Sequence, residues 1–67
     1  MSRIEKLREV LKNHQAQKID GFLMDVTTAD LLLRCHSMAS DRTKEFIETK
    51  PLDKVVDIAW RGAGNYE

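Results

Sequence analysis

The sequence predicts an all-α protein of three or four short helices, and three observations carry that expectation. Apolar residues recur at helical spacing in separate stretches of the 67-residue chain. Ser, Thr, Asp or Pro stands where each stretch would begin. Asp20-Gly21 is the clearest internal breaker, between the first stretch and the most apolar part of the chain. The helices are expected at about 3–17, 27–39, 42–48 and 51–61, in a compact bundle that self-association would complete. Residues 1–61 would form one helical domain and residues 62–67 a flexible tail.

The first helix opens on Ser2-Arg3-Ile4-Glu5, which has the hydroxyl and the carboxylate of a capping box. Ile4, Leu7 and Leu11 then share one face, with Val10 at its edge. Glu5–Arg8 and Glu9–Lys12 are spaced as i,i+3 ion pairs on the solvent side. His14 continues the apolar stripe as a boundary histidine. Asp20-Gly21 could close a hairpin, but the residues before it are helical in pattern and polar. A loop between helices is therefore expected, with Phe22-Leu23-Met24 as an apolar plug within it.

Asp25 or Thr27 is expected to cap the second helix. At about 100° per residue, Leu31, Leu32, Cys35, Met38 and Ala39 gather on one face. Val26, Ala29, Leu33 and His36 gather on another. A short helix apolar on two sides is either sandwiched or shared with a second subunit. Ala29, Leu33 and His36 are accordingly the candidate self-association face.

Ser40-Asp41 ends this helix and caps a third, anchored by Phe46 and Ile47. Lys50-Pro51 marks a boundary, because the residue before proline is pushed out of the helical region. Leu52, Val55, Val56, Ala59 and Trp60 make the apolar face of the last helix. Gly62 suits its C-terminal cap. Tyr66, an amphipathic ring in the glycine-containing tail, is a candidate partner contact.

Composition excludes several functional classes. A single cysteine, Cys35, cannot form an internal disulfide, so no secreted disulfide scaffold is indicated. The charged N-terminal stretch lacks an apolar signal region, and no apolar run approaches a membrane span. A cytoplasmic location is expected. Domains of this size are often marginal, and association is a common remedy.

No catalytic or metal site is expected, and no cofactor. Cys35 and His36 are adjacent on a helix and point about 100° apart, a poor pair for one tetrahedral ion. The spacing of Asp20, Asp25 and Asp30 places Phe22, Leu23 and Met24 where calcium ligands would be needed. Cys35 with His14, or Ser37 with His36, lacks a third group that would orient a base. The protein is read as a non-enzyme.

Net charge is zero but segregated. Residues 1–18 hold five Lys/Arg against two Glu, and residues 19–41 hold Arg34 against four Asp. This pattern favours internal or inter-subunit complementarity over a phosphate-binding surface. Nucleic-acid binding is the alternative, through Arg3, Lys6, Arg8 and Lys12 on the first helix or Arg42 and Lys44 on the third. Glu5, Glu9, Glu45 and Glu48 interrupt both basic sets.

The order Asp20-Gly21-x-Leu23-x-Asp25, Thr28-Ala29, a Leu-rich helix, Arg42-x-Lys44-x-Phe46, Pro51 and Ile58-Ala59-Trp60 resembles small uncharacterised proteins of bacteriophages and related mobile elements. The resemblance covers about Ile19 to Trp60 and rests on turn, cap and core residues. Arg34-Cys35-His36-Ser37 departs from the pattern. The resemblance implies a bacterial host cytoplasm and a small phage accessory protein, and carries over no activity. The expected function is binding: modulation of a host protein or sequestration of a small signalling ligand, as a homo-oligomer.

Overall fold

A computed structural model describes residues 2–64 of the chain. Its elements are α1 (Arg3–Asn13), β1 (Gln17–Ile19), β2 (Phe22–Met24), α2 (Val26–Met38), α3 (Asp41–Thr49) and α4 (Leu52–Gly64). The described residues are therefore mostly helical, with four helices and one small β-hairpin where the sequence predicts a loop. The described part measures 28 × 25 × 19 Å.

Ser2 caps α1 as expected, but the Glu5 carboxylate meets its hydroxyl and not its backbone N–H, so the capping box is half made. Ser2 Oγ accepts from the Glu5 backbone N–H at 3.2 Å and lies 3.2 Å from the Glu5 carboxylate. The stripe then buries Ile4, Leu7 and Val10, while Leu11 packs at the margin. The helix does not continue to residue 17. His14 adopts a left-handed conformation, with φ 50° and ψ 41°, and its N–H returns to the Leu11 carbonyl. It is exposed at a helix C-cap rather than seated on an apolar stripe.

The hairpin follows from Asp20-Gly21. Both residues have positive φ, 50° and 81°, as a two-residue turn needs if it is to match the right-handed twist of its strands. Register pairs Gln17 with Met24, Lys18 with Leu23 and Ile19 with Phe22. Alternation then sends Ile19 and Met24 into the core, fully buried, and Lys18 and Leu23 to solvent. A Cβ at position 21 would meet nothing within 4 Å. The cost of Gly21→Ala is thus backbone strain alone, about 1–2 kcal/mol. Thermal melting of that variant should show the loss with no change in helical circular dichroism.

Asp25 caps α2, its carboxylate accepting from the Thr28 N–H at 2.6 Å. That bond, reinforced by the Thr28 side chain, holds the Asp25 carboxyl below the usual aspartate range against a small opposing effect of burial. A depressed folded-state value stabilises the fold above the ordinary carboxylate range and is lost as pH falls through it. Asp25→Asn keeps an acceptor without the titration. Its stability deficit relative to wild type should therefore shrink as pH is lowered through that range, as urea melts at successive pH values would show.

Ser40 caps α3, and the Pro51 carbonyl accepts from Lys54 and Val55 at the start of α4, both at 3.1 Å. The last helix reaches Gly64, so Gly62 lies inside it and residues 62–64 are helix rather than tail. Tyr66 lies outside the described residues.

The core consists of Leu7 and Val10 of α1, Ile19 and Met24 of the hairpin, Ala29 and Leu32 of α2, Ile47 of α3, and Leu52 and Val55 of α4, with Ile4 at its edge. α1 packs chiefly on α2, which also meets α3 and α4. Arg3 ties these parts together. Its guanidinium donates to the Ile47 carbonyl at 2.9 Å, the Lys50 carbonyl at 2.6 Å and the Asp20 carboxylate at 3.0–3.1 Å. Two of those partners are carbonyls at the C-terminal end of α3, which the helix itself leaves without donors. Lys6 adds a longer ion pair to Asp20, at 3.8 Å. The predicted complementarity of the basic first helix and the acidic middle is realised here, within one chain.

Candidate functional site

The three consecutive leucines of α2 divide between two environments. Leu32 points into the core and is fully buried, while Leu31 and Leu33 are each half-exposed on opposite flanks. On the flank that runs through Ala29, Leu33 and His36, the helix is partly covered. Ala29 is fully buried, Leu33 packs against the core, and His36 Nε2 lies 2.7 Å from the Glu48 carboxylate of α3. Of the candidate self-association face, Ala29 is therefore withdrawn from the surface, while Leu33 and His36 stay partly exposed. Ala29 can offer nothing to a partner.

The other flank is open. Leu31 and Cys35 of α2 form one wall of a groove, and Thr43 and Phe46 of α3 form the second. Ile58, Ala59 and Gly62 of α4 form the third, above a floor of Leu32, Ile47 and Val55. The groove has a volume of about 290 Å³, and its lining is apolar apart from the Thr43 hydroxyl and the Cys35 thiol. Ile58 is 53 % exposed at its edge, and Met38, 88 % exposed, stands one turn beyond Cys35. Exposed large side chains collected round a concave apolar surface are the usual mark of a binding site.

The sequence pattern leaves this side of α2 to the core, because one apolar face suffices there and the Leu33 face is the candidate contact. In the fold that side supplies Leu32 to the core and Leu31 and Cys35 to the groove, and α1 packs chiefly on α2. Two signals pointed to the groove: the two-sided apolar pattern of α2, and Ile58, which lies off the main stripe of α4.

The basic residues considered for nucleic acid differ in exposure and in their ion pairs. Arg3, with a side chain only 10 % exposed, is consumed by the clamp, and Lys6 leans on Asp20. Arg8, Lys12 and Arg42 are exposed, whereas Lys44 is half-buried on α3. Trp60, expected in the core, is 44 % exposed on α4. Among the described residues no three of His, Cys, Asp and Glu come together as a metal cluster, and no helix is long and apolar enough to cross a membrane.

Family models, curated proteins and solved structures were each compared with the chain, and none matches.

Proposed function

We propose that this is a small accessory protein that acts by binding, and that its recognition surface is the apolar groove between α2, α3 and α4. The observation that carries this reading is the groove itself. A protein of this size has few apolar side chains to spare, yet Leu31, Phe46 and Ile58 stand partly in water around a concavity. Leaving them there forgoes hydrophobic stabilisation of about 25 cal/mol per Å². An interaction that covers them recovers it. The resemblance to small phage-borne proteins fits an accessory role of this kind, exercised on a host protein in a bacterial cytoplasm.

An environment-sensitive apolar dye tests the groove directly. Wild type should raise the dye's fluorescence with one-site saturation while it still unfolds cooperatively. Ile58→Asp, an exposed position, should abolish that signal with little change in melting temperature. A folded wild type that leaves the dye dark, or an Ile58→Asp variant that binds it equally, would overturn the reading.

A further inference from the structure

The flanks of the groove carry a charge bias that the neutral chain as a whole conceals. On a helix, residues three and four positions away share a face with the residue of interest. For Leu31 of α2 these neighbours are Thr27, Thr28, Arg34 and Cys35. For Phe46 of α3 they are Arg42, Thr43, Thr49 and Lys50, and Arg42, Glu45, Thr49 and Lys50 adjoin Phe46 in a shallow depression beside the groove. For Ile58 of α4 they are Lys54, Val55, Arg61 and Gly62. Five cations therefore border the three outer groove residues, and no carboxylate stands at any of those positions. Three carboxylates lie close by, fewer than the cations: Glu45 lines the depression with Phe46, and Asp30 and Asp57 each hold an arginine of the set through an exposed i,i+4 pair, at 3.1 and 3.0 Å. Such pairs are weak and leave the arginines free to take another anion.

We infer that the occupant of the groove is an acidic amphipathic helix of a partner protein. Its apolar side chains would enter between Leu31, Phe46 and Ile58, and its flanking carboxylates would meet Arg34, Arg42, Lys54 and Arg61. The inference rests on the binding role proposed for the groove. A second copy of the chain, docked by the same face, would bring these cations against one another across a two-fold axis. A small apolar ligand would find almost no polar group inside to orient it. A helix draws its affinity from apolar anchors at i, i+3, i+4 and i+7, and takes its specificity from charges outside the groove.

The test uses the full chain and two labelled peptides of about 15 residues, near the length at which isolated helices begin to form. Both carry Leu at the anchor spacing; one has Glu at the flanking positions and the other Lys. Fluorescence anisotropy at low salt should show the Glu peptide binding roughly tenfold more tightly, the sum of a few exposed ion pairs. Added salt should narrow that gap. Ile58→Asp should abolish binding, and the exposed double variant Arg42→Glu/Lys54→Glu should reverse the preference between peptides. Equal binding of the two peptides by a protein that still lights the dye would overturn the acidic-helix inference and leave the groove standing. Binding of neither peptide would do the same. Concentration-dependent sedimentation of wild type that Ile58→Asp abolishes would assign the groove to a second copy. Displacement of the Glu peptide by micromolar decanoate would assign it to an amphiphile. Loss of dye binding and peptide binding together would remove both readings.

Discussion

Arg3→Ala should destabilise the fold by about 2–4 kcal/mol, an effect far larger than its place one residue from the N-cap suggests. Charged hydrogen bonds contribute roughly 1.5–3 kcal/mol each when their partners are shielded from water. Arg3 makes one such bond, to the part-buried Ile47 carbonyl, and a second, weaker one to the exposed Lys50 carbonyl, with its side chain only 10 % exposed. Their loss leaves the end of α3 without donors and unties α1 from the Lys50-Pro51 corner. Arg3→Lys should recover less than half of the deficit, because an ammonium cannot span two carbonyls and a carboxylate as a planar fork can. Asp20→Asn should cost under about 1 kcal/mol, since that carboxylate is half in solvent. Urea unfolding followed by circular dichroism would rank the three variants. Equal losses for Arg3→Ala and Asp20→Asn would mean that the salt bridge, and not the carbonyl clamp, holds the corner.

Leu32→Ala should cost about 3–5 kcal/mol, the range for a fully buried leucine whose neighbours cannot collapse into the space. For a domain below about 70 residues this approaches the entire stability. The variant should show a broad, low-temperature transition or none. Leu31→Ala and Leu33→Ala, flanking the same position but half-exposed, should cost about 1 kcal/mol each. The Leu31 variant should in addition weaken dye binding, and the Leu33 variant should not. Three adjacent leucines thus separate core, groove and opposite flank in one set of melts.

Much of the architecture was legible in the residues, and the failures have identifiable causes. Ser2, Asp25 and Ser40 sit at their caps because a side-chain oxygen beside unpaired N–H groups is a strong local signal. Helix ends were less legible. The pattern carries the first helix to residue 17, yet His14 takes the left-handed conformation that favours glycine, a choice no local preference announces. The hairpin was missed although Asp20-Gly21 is a favourable pair for a type I′ turn. Its strands are only three residues long, too short for alternation to compete with the helical pattern before them. Nothing in the sequence says which flank of α2 faces the other helices, so its pattern points to Leu33 where the groove takes Leu31. The groove depends on α2, α3 and α4 meeting in space, information that single-helix periodicity does not hold.

The clamp at Arg3 also bears on the order in which the chain acquires its structure. Its carbonyl partners lie 44 and 47 residues away in sequence, whereas the hairpin joins neighbours across a two-residue turn. Closing so long a loop carries an entropic cost that local contacts do not. The hairpin and the caps should therefore be in place at the folding transition state, with the bonds of Arg3 forming after it. Loss of Arg3 would then leave the refolding rate nearly unchanged and accelerate unfolding. A latch set last is the first to be released, and the lifetime of the native state depends on it.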